Sequence, residues 1–331
     1  MSDIATRPPS ATSQRLGEIL RSYSALFGMI IVFLIIGYFR PSFLHLANIE
    51  NVLKQSAILV IMALGLTTVF ILRGVDLSVA QITDAAGVLA VGLLLQGQPT
   101  WLAFAAPLAL GVALGAVNGL LTAYVGIPAI IGTLGTMFII RSGEMVYTHG
   151  NNPLILFTLP AQVKDSFLFL GQKTIGPVPA LIVLAIVVFF AAYILMALTP
   201  FGRLARAVGS NIRAAYLAGV DTRKVFFAGF VVSGLLGAIA GVAMVSRTGI
   251  AMPHGAEPYL LDAFAAAYVG TLASRTGAMT ILGSLIGALF ISFLGNGLTL
   301  LGLGAPYRFV LNGGFILLAM AIGGLRRPRG D

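Results

Sequence analysis

WLAFAAPLALGVALGAVNGLLTAY, residues 101–124, contains no Asp, Glu, Lys or Arg. About 20 apolar residues carry an α-helix across the hydrocarbon core of a bilayer, so this run is long enough to span. Strands of membrane β-barrels are shorter and alternate apolar with polar residues; this run does neither. The rest of the chain repeats the pattern: 58% of its 331 residues are hydrophobic, 9% are charged, and the mean hydropathy is +0.98. Soluble domains carry about 45–50% apolar and about 25% charged residues. The sequence reads as an all-α polytopic membrane protein.

Apolar runs at 24–40, 55–72, 82–97, 101–124, 128–147, 179–198, 224–246, 258–274, 278–296 and 307–324 predict ten transmembrane helices. The 40 glycines suit close helix packing in lipid. Residues 1–23 are polar, and no small-residue cleavage site follows the first apolar run, so they read as a tail ahead of a retained span. Residues 24–324 read as one transmembrane domain, and 325–331 as a second tail. Lys and Arg mark cytoplasmic loops. Arg7, Arg15 and Arg21 at one end, and Arg326, Arg327 and Arg329 at the other, therefore put both tails inside. The net charge of +9 follows from that topology and not from a nucleic-acid partner. The loop 148–178 falls outside. It is apolar but broken by Pro and Gly, and reads as a folded external cap, either a packed connector or a docking surface.

Charge concentrates in one inner loop, GRLARAVGSNIRAAYLAGV, residues 202–220. Pro200 and Gly202 end the preceding span, residues 203–217 favour helix, and Gly219 supplies a stop. Arg203, Arg206, Ser210 and Arg213 recur at helical spacing, with Leu204, Ala207 and Val208 toward the other side. Such a helix lies on anionic lipid or inserts into a groove of a cytoplasmic partner.

NGLLTAYVGIP, from Asn118, and NGLTLLGLGAP, from Asn296, match in register. On the ten-span count the first copy runs inward and the second outward. The pattern predicts two inverted five-helix halves, a common transporter design.

Few polar residues lie near the spans. In RGVDLSV, residues 73–79, Asp76 either caps the third span or belongs to a substrate path with Ser78. Asp84 is eight residues on, two helical turns along the same face, with no local partner. Arg141 and Glu144 pair or anchor the outer end of span five. Asp262 follows Glu257 into the first turns of span eight. Asn118 and Asn296 are expected to bond across helices. His45, His149 and His254 are far apart and predict no metal site. There is no cysteine. None of the four lysines follows a glycine, so the G-x-x-x-x-G-K-[ST] phosphate loop is missing. Any ATP-driven motor is then a separate polypeptide, and no set of residues suggests an enzyme.

Five motifs, in order, resemble permease subunits of bacterial ABC importers of the ribose type. GRLARAVGSNIRAAYLAGV resembles their cytoplasmic coupling segment, within residues 200–220. RGVDLSV resembles their G-[IV]-D-L-S-V-G signature. The N-G and P segment from Asn118, PAIIGTLGTMFIIRSG with Thr133, and FLGNGLTLLGL with Asn296 complete the likeness, which covers residues 50–324. The resemblance implies a subunit of the bacterial inner membrane that moves a monosaccharide, a pentose or hexose, or a related polyol by alternating access. It implies a dimer with a second permease copy or a sister permease, a periplasmic sugar-binding protein, and a cytoplasmic ATPase pair that holds ATP and Mg; this chain carries no cofactor. It assigns Arg203, Arg206, Asn211, Arg213 and Gly219 to coupling with the ATPase. Asp76, Ser78, Asp84, Asn118, Thr133 and Asn296 become candidates for the path or gate. Ala80 replaces the signature's last Gly, Asp84 stands where an apolar residue is usual, and VGTLASRTG, residues 269–277, replaces a Gly-rich stretch. These departures suit an unusual sugar or polyol. The alternative is a proton-coupled secondary transporter using Asp76, Asp84 or Asp262.

Overall fold

A computed structural model describes residues 27–274 and 277–325. The basic residues expected in the two tails, and Arg275 and Thr276, lie outside the described residues. Each of the ten apolar runs carries a helix: α1 (Phe27–Phe39), α2 (Leu46–Ile71), α3 (Val79–Leu95), α4 (Thr100–Leu120), α5 (Ala129–Tyr147), α7 (Ala180–Tyr193), α10 (Thr222–Thr248), α11 (Glu257–Leu272), α12 (Ile281–Leu300) and α13 (Ala305–Leu325), with α6 (Ala161–Gln172), α8 (Pro200–Ser210) and α9 (Ile212–Leu217) between them. Among the described residues, six helices are long and apolar enough to cross a membrane, counting α4 and α7 with the wider turns Leu121–Val125 and Ile194–Leu198 that extend them; α1, α3 and the Ala305–Ala321 part of α13 are shorter apolar stretches.

Burial sorts the helices. In α2, 83% of the most apolar stretch lies inside the protein; in α4 only 22% does. A helix apolar on every side and buried on every side is central, so α2 forms the axis, with α10 and α12 against it. The outer faces of α4, α5 and α7 expose Val117, Leu120, Ile131, Phe138, Val187 and Phe190, the surface a bilayer covers. With lipid as apolar as leucine, close backbone packing holds such helices together. Where α4 crosses α10, a Cβ on Gly234 would stand 2.2 Å from the Gly111 carbonyl oxygen. Only glycine permits that approach.

α2 ends where its sequence says it must. Gly74 N–H bonds to Val69 O (3.0 Å) and Arg73 N–H to Phe70 O (2.9 Å). This closes the last turn with Arg73 left-handed (φ 61°) where glycine is usual. α3 then starts at Val79. The expectation that Asp76 and Asp84 share a helical face fails here, because Asp76 precedes α3.

The two sequence repeats sit at opposite ends of α2. Asn118 lies beside the turn after α2 and Asn296 beside its first residues. Both copies end a helix, break at a glycine of positive φ (Gly126, Gly302) and start a new helix at a proline turn. The separation of Asn118 from Asn296 equals that of Pro128 from Pro306, of Asp84 from Asp262, and of Val79 from Glu257, which begin α3 and α11.

The loop 148–178 is folded, as its apolar content predicts. β1 (Leu154–Ile155) pairs antiparallel with β4 (Ile250–Ala251) after α10. β2 (Thr174–Ile175) and β3 (Val178–Pro179) form a small hairpin. α6 lies on the end of α10: Ser246 Oγ donates to Phe167 O (2.7 Å) and accepts from Gly171 N–H (2.9 Å). Phe167 is fully buried beneath. This marks the cap end of the bundle; α8 and α9 mark the opposite, arginine end.

Candidate functional site

The turn between α2 and α3 is tied into a buried polar knot. Asp76 accepts from Ser78 N–H (3.0 Å), Ser78 Oγ (2.7 Å) and Ser233 Oγ of α10 (2.7 Å). Asn118 of α4 donates to Ser78 Oγ (2.7 Å), and Thr136 of α5 donates to Asn118 (2.6 Å). Thr133 of α5 accepts from Leu77 N–H (3.1 Å). Asp76, Ser78, Asn118, Thr133 and Ser233 have no exposed surface. Ser233 is near the middle of α10, so the knot lies at mid-bundle. Asp76 is satisfied by hydroxyl and amide donors and has no ion pair among the described residues. Asp76 binds the N–H of Ser78, the residue ahead of α3, and the hydroxyl of Ser233 on α10; Ser78 and Asn118 extend the knot to α4 and α5.

Four of the six expected path residues therefore meet. Asp84 and Asn296 do not join them. Asn296 exchanges two amide hydrogen bonds with Asn48 near the start of α2 (2.9 and 3.1 Å), roughly 35 Å along that helix from the knot. Asp84 lies toward the cap end. One oxygen accepts from Ala256 N–H (2.8 Å), while its Oδ2, buried, has no partner. One turn earlier on α3, Gln81 donates to Glu144 (3.0 Å) and lies 3.3 Å from His254 Nδ1. Glu144 is 4% exposed, and one of its oxygens is also unpartnered. Two expectations are corrected. Arg141 pairs with Glu257 (3.1 Å) instead of Glu144, and Glu144 turns inward to Gln81. Asp262 is no first-turn cap: it is buried within α11 and held by Arg308 and Asn312 of α13. Among the described residues, no group of His, Asp and Glu could hold a metal ion.

At the arginine end the inner helix is two helices. Asn211, extended, breaks it, and its side chain caps α9 by accepting from Ala214 N–H (2.9 Å). Gly219 (φ 83°) ends α9. Pro200 starts α8 instead of merely ending α7, and Gly202 lies inside α8 against Met196. The buried face of α8 is Gly202, Ala205, Val208 and Gly209; Leu204 and Ala207, expected on that side, are exposed. Small residues set this face because α8 seats on the end of α2: a Cβ on Gly209 would fall 1.8 Å from Ile71 O. Arg206 turns back to Met196 O (2.5 Å), closing the end of α7. Arg203 and Arg213 stay exposed beside Ile212, Tyr216 and Leu217, the last 78% exposed. Asp221 caps α10; the Lys224 N–H it accepts, and the Lys224 side chain, hold its carboxyl below the usual range.

Ser233, Thr136, Gln81, Asn48 and Arg308 were not singled out by sequence. Thr136 alone had a signal, three residues after Thr133 and so on the same helical face.

Comparison with known proteins places the chain in one family. The family described as "Branched-chain amino acid transport system / permease component" matches residues 48–320. The ribose import permease protein RbsC of Bacillus subtilis is 37% identical over 305 residues, 92% of this chain and 93% of that protein. RbsC of Escherichia coli K12 is 35% identical, over 92% and 94%. The autoinducer 2 import system permease protein LsrC of Shigella flexneri is 32% identical, over 91% and 86%. No solved structure matches the chain. The chain belongs to this family of membrane transport permeases, and its likeness runs to the ribose-type importers.

Proposed function

We propose that this chain is the permease subunit of an ATP-binding-cassette importer that moves a monosaccharide, a pentose or hexose, or a related polyol across the bacterial inner membrane. On this reading ten helices span in two inverted halves of five, α1–α5 and α7 with α10–α13, and both termini face the cytoplasm. The placement of Asn118 and Asn296 at opposite ends of α2 supports the inversion. The packing supports it too: α10 lies against α4 as α2 lies against α12, and α3 meets α4 as α11 meets α12. The arginine end is then cytoplasmic, and α8 with α9 is the surface for the ATPase, which carries ATP and Mg. The cap 148–178 faces the periplasmic binding protein, and a second permease copy or a sister permease completes the pore.

One observation carries the mechanism. α8 touches the last carbonyl of α2 through Gly209, and α2 ends directly into the Asp76 knot. A displacement of α8 reaches a broken helix at mid-bundle through two rigid elements. Broken helices at this depth are where transporters place their substrate sites. Closed, the knot satisfies its own donors and acceptors. Open, Asp76, Ser78, Asn118 and Thr133 present hydroxyl, amide and carboxylate groups suited to a polyhydroxylated solute. Alternating access follows when the ATPases pull α8 and α9 and the knot exchanges internal bonds for solute bonds. Arg203, Arg213 and the exposed face of α9 make the contact; Arg206, Asn211 and Gly219 keep the double helix in shape.

Uptake of labelled ribose by proteoliposomes tests the reading. Transport should need the ATPase subunit, ATP and the binding protein, and the chain alone should carry none. Proton-coupled transport is the competing reading, favoured by the unpartnered oxygens of Asp84 and Glu144. It requires uptake by the lone chain in a pH gradient, lost in Asp84→Asn. We expect Asp84→Asn to leave the pH profile of ATP-driven uptake unchanged.

A further inference from the structure

A cavity of about 310 Å³ opens at the arginine end, between the α2–α3 turn, the α4–α5 turn, α9 and the start of α10. Arg73 and Arg223 line it from two different elements, and no carboxylate lines it. Neither guanidinium has an ion pair among the described residues. Thr122, also on the wall, has a buried hydroxyl with no hydrogen-bond partner. The N-terminus of the 19-residue helix α5 borders the same space and adds positive potential. Two arginines without an ion pair among the described residues, a hydroxyl without a partner and a helix N-terminus border one cavity, a set that suits an anion.

The surroundings identify the anion's body. Ile127, Phe226 and exposed Ile212 make the walls apolar, and exposed Tyr124 and Val125 lie in the chain between the lining residues Ala123 and Gly126. Free phosphate gains nothing from such a rim, whereas acyl chains do. We propose that this cavity seats the phosphate of an anionic phospholipid, with Arg73 and Arg223 on the phosphate and Thr122 donating to it. Basic pockets between membrane helices hold lipid head groups by this chemistry. A zwitterionic lipid neutralises its own phosphate and fits the two unpaired arginines less well. The seat joins α9 to the turn that carries Asp76, so the lipid becomes part of the link between the ATPase surface and the knot.

The test uses the full chain in nanodiscs of phosphatidylcholine doped with phosphatidylglycerol, reading phosphatidylglycerol retained per chain after detergent exchange. The parent should retain it. Arg73→Gln with Arg223→Gln should bind it roughly thirtyfold more weakly, about fivefold for each guanidinium, with unchanged melting in pure phosphatidylcholine. Millimolar inorganic phosphate should not displace it. Equal retention by parent and variant overturns the proposal, as does displacement by phosphate or equal retention of phosphatidylcholine. If the variant instead keeps the lipid and loses the ATPase subunit, the arginines serve the partner and the proposal also falls. Should the double variant not fold, Arg223→Gln alone is read by the same outcomes.

Discussion

Asp76 is a carboxyl group in an apolar bundle with no ion-pair partner among the described residues, so its hydrogen bonds decide its cost. A hydrogen bond to a charged group contributes about 1.5–3 kcal/mol. Ser233→Ala should therefore lower stability by roughly 2 kcal/mol, read as a fall in melting temperature of the detergent-solubilised chain; an unchanged melting curve would remove Ser233 from the knot. Polar residues in spans are expensive and few, which marks Asp76, Ser78 and Asn118 in the sequence; Thr133 is marked only by the family resemblance. Neither gives a reason to choose Ser233, since one serine in a glycine-rich helix looks like packing. Asp84 stands out in the sequence for the same reason as Asp76, but helical periodicity assigns it the wrong neighbour. Periodicity extends a helix through any sequence without a strong break, and Arg73, not a glycine, holds the left-handed position that ends α2.

The double helix α8–α9 separates grip from transmission. Arg203 and Arg213 are exposed and without ion pairs among the described residues. Reversing both to Glu should weaken ATPase association at least about tenfold by placing like charge at the contact, while membrane insertion persists; undiminished co-purification would count against the grip. Gly209→Ala acts on transmission. Its Cβ cannot occupy the space at Ile71 O, and overpacking of this kind costs about 1–3 kcal/mol. The variant should still co-purify with the ATPase and hydrolyse ATP, yet lose uptake; full uptake would break the proposed path from α8 to α2. The arginine spacing and Gly219 were legible in the sequence. The burial of Ala205 and Gly209 in place of Leu204 and Ala207 was not, because the small face is dictated by the end of α2, a partner far away in sequence.

Across the whole molecule, hydropathy placed a helix on every apolar run, and the Asn-Gly repeat located two matching breaks at opposite ends of the central helix. What it could not reach were the long-range pairs: Asn48 with Asn296, Asp262 with Arg308, Arg141 with Glu257. Each is made by a fold that brings together residues 46 or more positions apart, and no local pattern announces them. The account rests on α8–α9 being held by an ATPase. A photocrosslinking residue at Leu217, exposed and outside both helix caps, tests this in membranes that also contain the importer's ATPase subunit. The account predicts a covalent adduct with the ATPase, whose yield changes when ATP is added. Crosslinks to phospholipid alone, with the ATPase present, would contradict it.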